Sequence, residues 1–177
     1  MKKILLILLA LVAILAIVIQ TRPGEFTVTR SAVIPAPPAE VFPHVNNLHL
    51  WNEWSPWAKL DPNATNTFAG PDEGKGASMS WAGNNEVGEG TMTITESQPS
   101  EKVGFDLEFR KPMAGTSQVE FTFAPEGEQT KVTWTMAGKN NFVGKAFGLL
   151  MDCEKMCGDQ FEQGFKNLEE VVKGGAK

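Results

Sequence analysis

Lys131-Val132-Thr133-Trp134-Thr135-Met136-Ala137-Gly138-Lys139-Asn140-Asn141-Phe142-Val143-Gly144-Lys145-Ala146-Phe147 holds the change of period on which the fold turns. From Val132 to Met136 every second side chain is apolar, the pattern of a strand with one wet face. After Gly138 the apolar residues return in steps of three and four, at Val143, Phe147, Leu150, Cys157, Phe161, Phe165, Leu168 and Val172, which is the pattern of a helix. Asn140 or Asn141 caps its start. The spacing predicts one helix of about 30 residues, roughly 45 Å long. A second stripe, Phe142, Ala146, Leu149, Cys153 and Met156, makes its first half apolar over a wider arc than one sheet contact needs, so something further has to cover that surface.

Upstream of this junction the two-residue period recurs. Val103, Phe105, Leu107 and Phe109 alternate with Gly104, Asp106, Glu108 and Arg110, and Val119, Phe121 and Phe123 alternate with Gln118, Glu120 and Thr122. Met79 and Trp81, then Met92 and Ile94, supply earlier strands. Turns rich in glycine, proline and asparagine separate them, among them Gly70 to Gly76, Gly83-Asn84-Asn85 and Pro125-Glu126-Gly127. A first strand runs from Phe26 to Ile34. Pro35, Pro37 and Pro38 stop it, and Pro38 with Glu40 opens one or two short helices reaching about Trp54. The expected architecture is α+β, a curved antiparallel sheet of six or seven strands wrapped round a long C-terminal helix, with two short helices after the first strand.

Residues 1–24 stand apart. Lys2 and Lys3 precede an unbroken apolar run from Ile4 to Ile19, followed by Gln20-Thr21-Arg22-Pro23-Gly24. Sixteen helical residues reach roughly 24 Å against a hydrocarbon core of ~30 Å, a gap that flanking polar side chains can close by snorkelling. The competing reading is a cleaved signal peptide, but bulky Ile17-Val18-Ile19-Gln20 stands where a small-x-small cleavage site belongs. The expectation is an N-terminal transmembrane anchor. Lys2 and Lys3 outweigh Arg22, so the N-terminus stays cytoplasmic and the body is exported across the cell membrane as a single-pass protein. Residues 25–173 form the domain and 174–177 a disordered tail.

Lys and Arg total 16 against 21 Asp and Glu, a net charge of −5 that disfavours nucleic acid as a partner. Eleven Phe and five Trp with no Tyr make nearly every ring a purely apolar surface. Cys153 and Cys157, four apart on the predicted helix, are poorly placed for a disulfide and are expected to pack as two thiols. With His44 and His49 a hundred residues upstream, no metal site is expected. No cofactor is implied.

Ile34-Pro35-Ala36-Pro37-Pro38-Ala39-Glu40-Val41-Phe42 and Leu50-Trp51-Asn52-Glu53-Trp54-Ser55-Pro56-Trp57, with Trp81-Ala82-Gly83-Asn84, Gly88 to Ile94, Val119 to Phe123 and Val132 to Met136, resemble the polyketide cyclase/dehydrase branch of the START-like, or SRPBCC, superfamily. The resemblance runs from about Glu25 to Val172 and implies the helix-grip fold. It also implies a cavity between sheet and long helix. Members of that superfamily include lipid carriers, hormone and pollen-allergen-type binders, coenzyme-Q-binding proteins, chaperone co-activators and a minority of aromatase/cyclases, so the fold alone does not name a chemistry.

Trp54, Trp81, Phe105, Phe109, Phe121, Trp134 and Met136, facing Phe147, Leu150 and Met151 on the helix, are the candidate ligand-binding residues, and all of them can equally be core. Of Trp51, Trp54 and Trp57, Trp54 is expected to point inward and Trp51 to sit on the rim. Glu86 with Glu89, or His44 and His49, are the candidate acids and bases, although none stands at the spacing of a triad and no catalytic residue is assigned. Arg30 lies among inward-facing positions and needs a partner, for which an internal ion pair is favoured. The leading expectation is a membrane-tethered, non-catalytic domain that binds a hydrophobic small molecule or lipid. The alternatives are a cyclase or dehydratase on an apolar substrate, and a protein-interaction module using Asp106, Glu108 and Glu120 on the wet sheet face.

Overall fold

A computed structural model describes residues 1–149 and 152–175, apart from the side chains of Cys153 and Gly175. An apolar helix, α1 (Lys2–Gln20), precedes strand β1 (Glu25–Ile34) and the short helices α2 (Pro38–Asn46) and α3 (Trp51–Trp54), with 3₁₀ turns at Leu48–Leu50 and Pro56–Lys59. Six strands follow: β2 (Thr65–Ala69), β3 (Ser78–Ala82), β4 (Glu89–Gln98), β5 (Lys102–Lys111), β6 (Gly115–Glu126) and β7 (Gln129–Lys139). Then come α4 (Phe142–Phe147) and α5 (Cys153–Gly175). All seven strands form one antiparallel sheet in the order β1-β7-β6-β5-β4-β3-β2, so β2 to β7 make a meander and β1 closes onto its last strand.

Local signals account for most of these boundaries. Pro38 occupies the first turn of α2, where a missing N–H costs nothing, and Glu40 complements the helix dipole. Gly70 carries φ +80° in the β2–β3 connection, and a Cβ there would lie 2.3 Å from the Gly76 carbonyl oxygen, so only glycine fits.

The inner face of the sheet holds the core. Ile34, Val41, Val45 and Leu48 fill one end beside Leu168 and Val172, while Phe161 and Phe165 of α5 press onto the middle. The outer face is wet, as the alternation predicts. Cross-strand hydroxyl pairs cover it, Thr29 with Thr135 at 3.2 Å, Ser31 with Thr133 at 2.8 Å, Ser78 with Thr93 at 3.0 Å and Ser80 with Thr91 at 2.8 Å.

Two expectations need correction. The single helix of about 30 residues is two helices. Asn141 caps α4, its side-chain oxygen accepting from the Gly144 N–H at 2.9 Å, and α4 stops at Gly148. Asp152 then caps α5 by accepting from the Lys155 N–H at 3.0 Å. Gly148 at the end of α4 and a capping carboxylate at Asp152 break the run, which hydrophobic periodicity alone does not register. Trp51 is not on the rim: it is 4% exposed, its indole N–H donating to the Val45 carbonyl at 2.9 Å. Helix α5 extends through Gly175, and Ala176 and Lys177 lie outside the described residues. The expected Cys153–Cys157 arrangement falls partly outside them as well, since the side chain of Cys153 is not described; Cys157 is half-buried.

Candidate functional site

Strand register sorts the inner face into transverse rows. One row reads Arg30, Trp134, Phe121 and Val103 across β1, β7, β6 and β5, and α5 lies directly over it. Phe161 stacks on Trp134 with centroids 4.0 Å apart and planes 6° from parallel, and Phe121 tilts against the same indole at 4.6 Å. Trp51 and Trp54 close the cluster from α3, edge-on to Trp134 at 6.4 and 5.8 Å. These rings are interlocked and dry. Four of the expected ligand-binding residues, Trp54, Phe105, Phe121 and Trp134, belong to this cluster or touch it, each at most 2% exposed.

The row nearer the start of β1 is different. It reads Phe26, Gly138, Ser117, Leu107, Met92, Met79 and Phe68. Beyond it, at the end of the sheet, lie Gly115, Phe109, Gly90 and Trp81. Phe26, Leu107, Phe109, Trp81 and Phe68 are only half-buried there, while Met79 and Met92 in the same row and Met136 in the next are 8%, 4% and 8% exposed. Trp81 and Phe109 meet edge to face at 5.9 Å, and the Trp81 N–H donates to the Val87 carbonyl at 3.2 Å. Apolar side chains thus continue past the part of the inner face that α5 covers. The inner face is thus solid at one end and half-open at the other.

The family model described as polyketide cyclase / dehydrase and lipid transport matches residues 25–173. The chain belongs to this family. Solved structures of the same helix-grip fold align with this chain at low identity. Protein CV1439 from Chromobacterium violaceum matches at 16% identity and TM-score 0.61, covering 82% of this chain and 96% of its own. The Aha1 dimer from Colwellia psychrerythraea matches at 16% and 0.59, with 83% and 96% covered, and TTHA0849 from Thermus thermophilus at 20% and 0.58, with 86% and 100% covered. Among curated proteins the sequence has no match. At these identities the likeness establishes the fold, and the SRPBCC assignment read from the sequence holds.

Other candidate residues of this family member fall as follows. Met136 stands in the buried row between the cluster and the open end, and Phe147, on α4, is 45% exposed. Leu150 and Met151 lie outside the described residues. Glu86 is exposed in the β3–β4 turn, and Glu89 is bound by Lys111 at 2.6 Å. His49 is exposed and stacks on Phe68 at 4.0 Å. His44 is half-buried in α2, with its Nδ1 shielded and without a hydrogen-bond partner among the described residues; burial pushes its pKa below the ordinary value, against an opposing pull from Glu53. Thus no two of the candidate acids and bases converge on the inner face among the described residues.

Arg30 is ion-paired, but with half-exposed carboxylates at the surface rather than with an internal partner. Its Nη1 lies 2.7 Å from Glu154 and its Nε 3.2 Å from Glu162, two carboxylates eight residues apart on α5. The guanidinium lies over Gly158 midway between them, where a Cβ would sit 2.0 Å from Nη2. Sequence reading named Arg30 but could not name these partners. It also left Phe26, Phe68 and Leu107 out of the candidate site, although the alternation around Leu107 was visible.

An open depression of about 730 Å³ lies where the rows Thr27, Ala137, Gln118, Asp106, Thr93 and Lys139, Thr116, Glu108, Thr91 flank Phe26, Gly138, Ser117 and Leu107. Its lining is mixed, with hydroxyls and charged groups beside apolar surface.

Proposed function

We propose that the domain holds a hydrophobic small molecule or lipid tail on the inner face of the sheet, at the end where β1 begins, and that α1 tethers it to a membrane without the domain catalysing a reaction. The observation that carries this reading is the half-buried set Phe26, Phe68, Trp81, Leu107 and Phe109 beside a fully packed ring cluster. Side chains that could bury one another, and do not, leave apolar area for a guest. Met79 and Met92 among them and Met136 in the next row adapt to guests of different shape. Covering about 300 Å² of ligand at ~25 cal/mol/Å² supplies roughly 7 kcal/mol before the costs of association, so few polar contacts are needed. The Trp134 N–H, buried without an acceptor among the described residues, would stabilise a ligand oxygen that reached it. Candidate lining residues are Trp81, Phe109 and Met136, and Trp54, Phe105, Phe121 and Trp134 form the solid wall behind them.

Membrane tethering is supported by α1, whose 19 residues span about 28 Å and whose apolar side chains are exposed except for Ile19. The domain would stand on the exported side.

Native mass spectrometry of residues 25–177 tests the binding reading. Apolar mass that co-purifies with the domain, and is lost in Leu107→Asp with the fold retained by circular dichroism, is the expected result. A domain that carries no guest and takes up no fatty acid when offered one overturns it.

A further inference from the structure

Helix α4 has no buried residue, yet it is not polar. Phe142, Val143 and Phe147 are 51%, 49% and 45% exposed. At about 100° per residue they fall, with Ala146 among them, on one arc of about 140°, while Lys145 lies outside that arc, about 60° beyond Phe142. Lys145 Nζ donates to the Gln20 carbonyl at 3.3 Å, at the last turn of α1, and the Asn140 N–H donates to the Gly24 carbonyl at 2.9 Å. Ile19 is buried where α1 meets α4. The amphipathic turn is therefore pinned, polar side inward, to the point where the apolar helix ends.

A membrane spanned by α1 has its surface at that point, level with α4. The adjoining segments 20–25 and 139–148 carry Arg22, Lys139 and Lys145 against Glu25 alone, in a chain whose net charge is −5. Anionic headgroups suit such a site. Met113, 40% exposed in the β5–β6 turn, stands at the same end of the sheet, as does the half-open inner face with Phe26, Phe109 and Trp81.

We propose that α4 lies in the headgroup layer of the bilayer that α1 spans, with Phe142, Val143 and Phe147 inserted beneath the headgroups, so that the open end of the sheet faces the lipid. This rests on α1 being a membrane anchor. It goes beyond that reading, because a tether alone leaves the orientation of the domain free. Short amphipathic segments with large apolar side chains and flanking cations bind membrane interfaces in this way. Lipid could then pass between leaflet and cleft without crossing water.

The test uses the full chain in vesicles of phosphatidylcholine with phosphatidylglycerol. Nitroxides are placed at Val143→Cys and Phe147→Cys, and at Glu128→Cys in the β6–β7 turn at the far end of the sheet, all with Cys153→Ala and Cys157→Ala. Co-flotation with the vesicles, with positions 143 and 147 accessible to oxygen but not to a water-soluble nickel chelate and position 128 accessible to the chelate, is the expected result. Flotation with all three positions equally wet overturns α4 docking and leaves the anchor standing. Failure to float removes the anchor and this inference together. Spin–spin broadening at position 143 that vanishes on dilution with unlabelled chain puts a second copy on this face and also overturns the proposal. Hydroxyl-radical footprinting of the unsubstituted chain in the same vesicles is independent of the labels: Phe142 and Phe147 are spared and Val33, 44% exposed at the other end of β1, is modified. Equal modification of all three overturns the proposal.

Discussion

Gly90 is the cross-strand partner of Trp81, and the indole lies flat over it: a Cβ at Gly90 would fall 2.3 Å from the ring and 2.5 Å from the Glu108 carbonyl oxygen. Phe26 covers its partner Gly138 in the same way. Neither the ring nor the backbone can yield, so Gly90→Ala is expected to cost about 1–3 kcal/mol, lowering Tm by about 3–10 °C in thermal denaturation. Gly158→Ala is the contrast. Its Cβ would meet the flexible end of Arg30, whose ion pairs are screened by solvent, and alanine returns about 1 kcal/mol of helix propensity. Its unfolding free energy from urea denaturation is expected to stay within about 0.5 kcal/mol of the parent, and a loss as large as that of Gly90→Ala would show that Arg30 is fixed in place. In the sequence both positions read only as Gly. What distinguishes them is the identity of the atom standing opposite, which depends on strand register and helix placement.

Helix α2 shows how an element couples to its surroundings through one titrating group. The carbonyl of His44 accepts the Trp54 N–H at 2.9 Å, fastening α3 to α2, while its ring is half-buried and holds its proton less tightly than in the unfolded chain. Unfolding therefore takes up a proton between the two pKa values. The stability due to neutral His44 is complete above about pH 6.5 and drains away as pH falls toward the lowered folded value. Urea midpoints are expected to fall from pH 7.5 to 5.5, and His44→Leu to flatten that slope; an unchanged slope would assign it to other groups. Elements with a strong local signal were legible beforehand: the alternating strands β5, β6 and β7, the proline-started α2 and a cap at Asn140 or Asn141, of which the structure uses Asn141. The division of the C-terminal segment into α4 and α5 was not, because Phe142, Val143 and Phe147 keep a helical period while facing away from the protein.

For the molecule as a whole, α1 contributes one residue, Ile19, to the buried set, and the remaining core lies within residues 25–175. A chain beginning at Glu25 is expected to melt cooperatively within about 4 °C of the full protein in scanning calorimetry, whereas a broad or much lower transition would make α1 part of the fold. The sequence by itself determined the helix-grip architecture, the family, the apolar leader and the wet outer face of the sheet. Each follows from local period, punctuation or motif, which are properties of neighbouring residues. Only the tertiary structure decided that Trp134, Phe121 and Phe161 interlock, while Trp81, Phe109 and Phe26 stay half-open, and that Phe142 and Phe147 stand beside the end of α1. Alternation makes all these rings look alike; whether a ring is covered depends on which distant element arrives opposite it, and that is settled by register and by the path of α5 across the sheet.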